Sequence, residues 1–248
     1  MSFRASDSEF RHRFWVFAAL FGIAFLCYNF DHENVSVAIA RWIVHTAHIQ
    51  TPEAIDQWAR GFFALGALLV FGAALMRSWG GAYLHSSIVH DRELHAAQLV
   101  ADGPYRYVRN PLYFGNELLA LGMGLLASRT GFVVLVVGVT VFDYRLILCE
   151  EAKLIASQGE SYKRYQASVP RLLPSLVPRV PSGGGRPNWI DGIYGEVFMW
   201  GGAVGFALLA FTLKARYFWI PFGVGLATDF LRWFVPKKPS DTAAPPGA

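Results

Sequence analysis

The residues that can do chemistry in this chain fall into two short clusters. The first, residues 102–115, combines two arginines, three tyrosines and two prolines, and it runs straight into an apolar segment. The second, residues 145–165, contains the adjacent carboxylates Glu150 and Glu151, followed by two tyrosines. Polar groups at the mouth of a membrane helix are costly unless they bind something, so the clusters predict a binding site. A structural ion-pair network is the alternative interpretation.

The composition indicates which kind of protein must position these clusters. Of the 248 residues, 54% are hydrophobic and only 16% are charged, whereas soluble domains carry about 25% charged residues. The apolar residues come in blocks of about 16–20, the length that crosses a bilayer. The chain is therefore predicted to be an integral membrane protein. Its net charge of +4 fits basic residues flanking membrane segments and requires no nucleic-acid partner.

The predicted fold is all-α, a polytopic membrane helical bundle of about six transmembrane helices (five to seven). The predicted spans are residues 14–30, 61–76, 111–128, 131–148, 196–213 and 217–235. A cytoplasmic amphipathic helix with a following loop is expected after the fourth span, over residues 149–170. Residues 31–59 are either a surface-lying amphipathic helix or an ordered loop.

The short turn at Arg129-Thr130 decides where the clusters lie. It makes the third and fourth spans an antiparallel hairpin, so residues 110 and 149 emerge on the same side of the membrane. The two clusters then form one site, in which opposite charges support each other's ionised form. Fifteen Lys and Arg residues lie on that side against five on the other, so the site and both termini are predicted to be cytoplasmic.

Other motifs fail their context tests. Residues 122–127 match G-x-G-x-x-A, but they lie inside an apolar span rather than in a strand-to-helix turn, so helix packing is the favoured interpretation. The glycines of 201–205 likewise predict a packing face. His85, His90 and His95 recur every five residues and do not share a helix face, so no metal site is predicted. No span carries an obvious polar row, and Glu117 is one intramembrane acid, which disfavours a transporter.

The clusters resemble the isoprenylcysteine carboxyl methyltransferases and the related phospholipid N-methyltransferases. The pattern is G-x-Y-R-x-V-R-[HN]-P-x-Y-x-G, an apolar hairpin, then E-E-x-x-L, G-x-x-Y-x-x-Y and V-P. It covers about residues 79–175. The carboxyl methyltransferases usually have His where this chain has Asn110, so the pattern predicts a reaction type and not a substrate.

The resemblance implies a membrane methyltransferase that uses S-adenosyl-L-methionine and methylates a lipophilic or lipidated acceptor at the cytoplasmic face. It implies catalytic roles for Arg109 and Tyr113. The residues that it implies for cofactor binding are Gly103, Tyr105, Asn110, Pro111, Glu150, Glu151, Tyr162 and Tyr165. A carboxylate acceptor needs no general base at neutral pH, whereas an amine or thiol acceptor makes a Glu or Tyr the candidate base.

Several alternatives stay open at this point. The acceptor can be a prenylcysteine carboxylate, a phospholipid amine or a thiol, and the membrane a bacterial inner membrane or one of the endoplasmic-reticulum type. An NADPH-dependent sterol-type reductase and a non-catalytic membrane protein are the alternatives from other classes. The expected organisation comprises N-terminal membrane helices (1–78), a methyltransferase core (79–175), a linker (176–188), a C-terminal membrane hairpin (189–235) and a disordered tail (236–248).

Overall fold

A computed structural model of the chain describes residues 3–49, 51–90 and 101–234, with side chains in all of these except 85–90 and 232–234. The described residues form ten α-helices: α1 (Asp7–Arg11), α2 (Arg13–Leu26), α3 (Val35–Thr46), α4 (Ala54–His90), α5 (Pro111–Gly124), α6 (Arg129–Gln158), α7 (Glu160–Ser168), α8 (Trp189–Tyr194), α9 (Val197–Thr212) and α10 (Arg216–Phe234). The predicted tail at 236–248, His95, and the side chains of His85 and His90 lie outside these residues.

The all-α class is confirmed, whereas the count of about six membrane spans is not. By length and composition, two described helices can cross a membrane, Ala54–Leu84 within α4 and all of α6. The helices α2, α3 and α9 are apolar but shorter. The predicted third span, 111–128, is cut short because α5 ends at Gly124 and residues 125–127 form a turn.

The helix α4 is the central element of the bundle. No proline interrupts its 37 residues, so it extends far beyond the predicted span 61–76 and reaches about 55 Å. Four other helices, α3, α5, α8 and α9, pack against it. Gly122 of α5 lies so close to α4 that an added Cβ would stand 2.6 Å from Val70 Cγ2. The packing interpretation of the glycines at 122–124 is thus confirmed.

The helix α6 is longer than the predicted fourth span and includes the acidic pair of the second cluster. It begins where the Ser128 side chain accepts a hydrogen bond from the Gly131 amide, and it ends at Gly159, whose φ of 56° stops the helix. Since no proline or glycine lies between 149 and 158, the helix continues through Glu150 and Glu151. Most of the range 149–170 is helical, as predicted, but it is formed by the last turns of α6 and the short α7, so it begins as a continuation of the fourth span.

The region 31–59 contains a capped helix rather than an ordered loop. The Asn34 side chain accepts a hydrogen bond from the Val37 amide and so starts α3. The Asn34 amide also donates to the carbonyls of Leu125 and Ala127, at 3.1 and 3.2 Å. These bonds fix α3 against the turn between α5 and α6.

The predicted linker is irregular, as expected, but it lies against the first cluster. We name residues 170–188 the strap. Its backbone exchanges hydrogen bonds with the first cluster at three points: Arg109 N to Pro170 O at 2.8 Å, Ser175 N to Tyr107 O at 2.9 Å, and Arg179 N to Arg106 O at 2.8 Å. The strap therefore holds the first cluster in place as well as connecting α7 to α8.

The C-terminal hairpin is formed by α9 and α10, which pack closely along their length. An added Cβ at Gly201 would stand 2.3 Å from the Pro221 carbonyl oxygen, and one at Gly205 would stand 2.6 Å from the Phe218 carbonyl oxygen. The glycines at 201–205 are therefore a packing face, as predicted, because only residues without a side chain allow the two backbones to come so close.

Candidate functional site

A cavity of about 1170 Å³ lies among helices α2, α4, α5, α6, α7, α9 and α10. Eight of the ten predicted site residues line it, namely Tyr105, Arg109, Asn110, Pro111, Tyr113, Glu150, Tyr162 and Tyr165. The other two, Gly103 and Glu151, lie outside its lining. The antiparallel hairpin α5–α6 and the strap bring the two clusters together at one end of the cavity, where the polar side chains are concentrated.

Arg109 is buried with part of its hydrogen-bonding capacity unused. Its side chain is only 6% exposed, and Nη2 lies 3.3 Å from Glu151 Oε1. The buried atoms Nε and Nη1 have no hydrogen-bond partner. A buried N–H donor without an acceptor costs free energy, so the unpaired donors of this guanidinium indicate a ligand that supplies anionic or carbonyl oxygens.

Glu151 is the hub of a buried ion-pair cluster. Arg171 donates to both of its oxygens, from Nε at 3.2 Å and from Nη2 at 3.0 Å. Gln166 donates a further bond at 3.2 Å, and Arg109 pairs with the same carboxylate. With these donors around it, Glu151 lies behind Arg109 and holds the guanidinium in position.

Glu150 faces the cavity that Glu151 does not reach. Adjacent residues of an α-helix are rotated by about 100° about its axis, so the two acids point in different directions. Tyr113 of α5 donates from its hydroxyl to Glu150 Oε1 at 3.0 Å. The structure thus assigns different surroundings to the two members of the predicted acidic pair.

Three tyrosines form an aromatic wall at the polar end. The Tyr165 hydroxyl donates to the Tyr105 carbonyl oxygen at 2.7 Å, and the ring centroids of Tyr162 and Tyr165 are 5.9 Å apart. Burial, and then the nearby Glu151 charge, raise the pKa of Tyr162 to about 12. Burial also raises the pKa of Tyr105 and of Tyr165. All three phenols therefore stay protonated at neutral pH.

The start of α5 is fixed by Asn110 and Pro111. Asn110 donates from Nδ2 to the Arg171 carbonyl oxygen at 2.9 Å, which ties the helix start to the strap. Pro111 occupies the first helical position, where its lack of an N–H leaves no group unsatisfied. Both residues line the cavity, and their main contribution is to fix the position at which α5 begins.

Gly103 shapes the first cluster from outside the cavity. Its φ is +56°, and an added Cβ would stand 2.3 Å from the Tyr83 ring. Glycine is needed here because the backbone is left-handed and because it lies against α4. The residue begins the 3₁₀ turn Gly103–Arg106, which aims Tyr105 at the cavity.

Comparisons with known proteins agree with the motifs. Residues 58–159 match the phospholipid methyltransferase family. The protein-S-isoprenylcysteine O-methyltransferase of Schizosaccharomyces pombe (strain 972 / ATCC 24843) is 35% identical over 121 residues, which is 48% of this chain and 49% of that protein. These matches support the isoprenylcysteine carboxyl methyltransferase and phospholipid methyltransferase superfamily for this segment of the chain. The chain spans about half the length of the curated relative that it matches. No solved structure gives a significant match.

The superfamily segment also contributes a polar network that the sequence reasoning missed. Arg77 of α4 donates to both oxygens of Glu196, at 2.8 and 3.0 Å, and to Asn116 Oδ1 at 2.7 Å. Asn116 in turn donates to the fully buried Asp143 at 3.1 Å. No single described span carries a row of polar residues. The row is formed by one residue from each of four segments, namely α4, α5, α6 and the start of α9. In the sequence, this network was indicated by Asn116 and Asp143, each of which is a polar residue in an apolar helix.

The rest of the cavity beyond Arg77 and Asn116 is apolar. Side chains from the superfamily segment and from both ends of the chain line it, including Phe17, Phe21, Leu119, Met123, Phe198 and Phe222. A ligand that fills the whole cavity must therefore have a polar end and a long apolar part. A small polar cofactor alone occupies only the end near Arg109.

Proposed function

We propose that this protein is an integral membrane methyltransferase that uses S-adenosyl-L-methionine and methylates a lipophilic acceptor at the cytoplasmic face of its membrane. The observation that carries the proposal is the pair of unpaired guanidinium donors, Nε and Nη1, of Arg109, which lies in one cavity with Glu150 and the tyrosine wall. Similarity to the superfamily supports the reaction class.

The residues at the polar end fit the groups of this cofactor. The unpaired Nε and Nη1 donors of Arg109 lie on different edges of the guanidinium, so they suit two separate carboxylate or carbonyl oxygens. Glu150 suits an ammonium or ribose hydroxyls, and the faces of Tyr105, Tyr162 and Tyr165 suit a sulfonium or an adenine ring. When bound, the cofactor supplies an activated methyl group.

The protein's own contribution is positioning and the exclusion of water. Glu151 holds Arg109 in place, the strap covers the first cluster, and buried apolar side chains surround the polar end. Methyl transfer requires the nucleophile in line with the methyl group, so fixed geometry is the main source of rate. Arg109 and Tyr113 are the residues that we place at the reacting atoms.

The acceptor decides whether a base is needed. A carboxylate, as in the substrate named for the fission yeast relative, is already ionised at neutral pH and can be oriented by Arg109. An amine headgroup is the second candidate, because residues 58–159 match the phospholipid methyltransferase family. It must lose a proton. Burial raises the pKa of the three wall tyrosines, and the Tyr113 hydroxyl already donates to Glu150, so Glu150 is the candidate base.

Two measurements test the proposal on the full chain in detergent or nanodiscs. Calorimetry should show binding of S-adenosylhomocysteine and none of NADPH. Methyl-labelled S-adenosylmethionine should then label one member of a panel containing N-acetyl-S-farnesylcysteine, phosphatidylethanolamine and an alkyl thiol. Glu150→Gln should weaken S-adenosylhomocysteine binding about tenfold or more, whereas the exposed control Glu160→Gln should not. Binding of NADPH in place of S-adenosylhomocysteine would overturn the proposal in favour of a reductase.

A further inference from the structure

Two cavities in the bundle share one pair of aromatic residues. The first is the cavity of about 1170 Å³ that contains the candidate site. The second, of about 600 Å³, is lined by side chains that include Phe63, Leu126 and Leu209. Phe25 of α2 and Trp219 of α10 line both cavities, so this pair stands between them.

The aromatic pair closes a gap between two helices that are otherwise little packed together. The helix α2 packs on α6, and α10 packs on α9, while no extensive contact joins the described parts of α2 and α10. The rings of Phe25 and Trp219 meet edge to face with centroids 6.3 Å apart. Trp219 also packs against Phe218 and Phe222, with ring centroids 4.9 and 6.0 Å away.

The first cavity has the shape and chemistry for a hydrocarbon chain that starts at the candidate site. Its lining runs along α5 from Pro111 at the polar end to Met123, a distance of about 18 Å by helix rise. Beyond Asn116 the lining is apolar, and the cavity is continuous with the polar end. An acceptor whose reacting group lies near Arg109 can therefore extend its chain along α5 toward Phe25 and Trp219.

We propose that the Phe25–Trp219 pair sets the length of the hydrocarbon chain that the acceptor can carry. Chains that end before the pair fit in the first cavity, and longer chains must displace one ring to enter the second. The proposal rests on the proposed function, since the chain belongs to the methyl acceptor. Both residues lie outside the segment 58–159 that matches the family, so the limit is a property of this chain and not of the shared core.

Turnover of a prenyl series gives the first test. The substrates are N-acetyl-S-geranyl-, S-farnesyl- and S-geranylgeranylcysteine, with labelled S-adenosylmethionine. Removing either ring by Trp219→Ala or Phe25→Ala should raise the kcat/KM ratio of the geranylgeranyl to the farnesyl compound roughly tenfold, as expected for added apolar groups in a pocket. The neighbours Ile220 and Ile23 are exposed and line neither cavity, so Ile220→Ala and Ile23→Ala should leave the ratio unchanged. An unchanged ratio in folded Trp219→Ala and Phe25→Ala would overturn the proposal.

A binding measurement separates failure of this proposal from failure of the proposed function. N-acetylcysteine thioethers of farnesyl and geranylgeranyl length, each with a diazirine at the chain end, are photo-crosslinked to the full chain and mapped by mass spectrometry. In the wild type both probes should label residues of the first cavity, and the longer probe should reach Leu126 or Leu209 only in Trp219→Ala or, should that variant not fold, Trp219→Leu. Equal labelling of the second cavity in the wild type would overturn the length limit. Labelling as expected without any methyl transfer would contradict the proposed function alone.

Discussion

Arg109 and Glu151 form a buried ion pair, 3.3 Å from Nη2 to Oε1, in which the carboxylate is shared with Arg171 and the guanidinium keeps two unpaired donors. The pair joins the two polar clusters that precede and follow the helical hairpin in the sequence. The two residues have different roles. Glu151 finds its hydrogen-bond partners within the protein and positions Arg109, whereas Arg109 has donors left for a ligand.

Replacing Glu151 should cost more stability than replacing an exposed acid. Glu151→Gln removes the counter-charge of a guanidinium that is 6% exposed, and loss of one partner of a buried pair costs about 3–5 kcal/mol. Thermal unfolding in detergent should show a clear drop in Tm. The control Glu160→Gln removes only the exposed pair with Lys163 and should leave Tm nearly unchanged. Equal melting of the two variants would contradict the hub role of Glu151.

Arg109→Lys should impair function more than stability. Lysine keeps the positive charge near Glu151 but cannot place donors at both the Nε and the Nη1 position of the planar guanidinium. Loss of a hydrogen bond to a charged group is worth about 1.5–3 kcal/mol, which corresponds to roughly a 10- to 100-fold fall in kcat/KM or in affinity for S-adenosylhomocysteine. Arg106→Lys is the matched control, since Arg106 donates to the Val180 carbonyl oxygen outside the cavity lining. A wild-type affinity and turnover in Arg109→Lys would argue against a ligand at this guanidinium.

The attachment of the strap should weaken in acid. Burial opposes ionisation of Asp102, but the Ser182 hydroxyl and the amides of Gly185 and Gly183 outweigh it and hold the pKa below its ordinary 3.8. Because the folded pKa is lowered, this stabilisation is fully present above pH 3.8 and is lost as pH falls through the folded pKa. Amide hydrogen exchange at Gly183 and Gly185 should therefore accelerate below about pH 3.8 relative to intrinsic rates.

Two variants identify Asp102 as the source of that acid sensitivity. Asp102→Asn should show weak protection of Gly183 and Gly185 at every pH, with no step. Ser182→Ala removes one donor and leaves the carboxylate, so it should keep the pH step with less protection. A step of wild-type size in Asp102→Asn would assign the sensitivity to another group.

Gly103→Ala should lower the stability of the protein, whereas the same substitution at a helical glycine with open space around it should not. The left-handed backbone costs a residue with a Cβ about 1–2 kcal/mol, and the new methyl group would overlap the Tyr83 ring. A lower Tm is expected, together with weaker cofactor binding because Tyr105 is displaced. At Gly61 an added Cβ meets nothing within 4 Å, so Gly61→Ala should be neutral or stabilising by up to about 1 kcal/mol. The opposite order of stability would refute this account of Gly103.

Most of the architecture could be predicted because the apolar pattern is local information. The membrane-type helices, the hairpin at Arg129-Thr130 and the irregular strap follow from block lengths, turn length and proline content. The ends of the helices were harder to predict, because α4 and α6 continue beyond their apolar blocks. Nothing in the composition near Arg77 or Glu150 marks a boundary, and the left-handed Gly159 ends α6 ten residues beyond the predicted span.

The sequence alone named eight residues that line the polar end of the cavity, since spacing and motif depend on chain order. The tertiary structure decided what each residue faces. Adjacent acids in a helix point to different sides, so only packing against α5 and the strap gives Glu150 to the cavity and Glu151 to Arg109. The same holds for the Arg77 network and for Phe25 and Trp219, whose partners are far away in the chain. Contacts of that range depend on how the helices dock, and no local pattern encodes them.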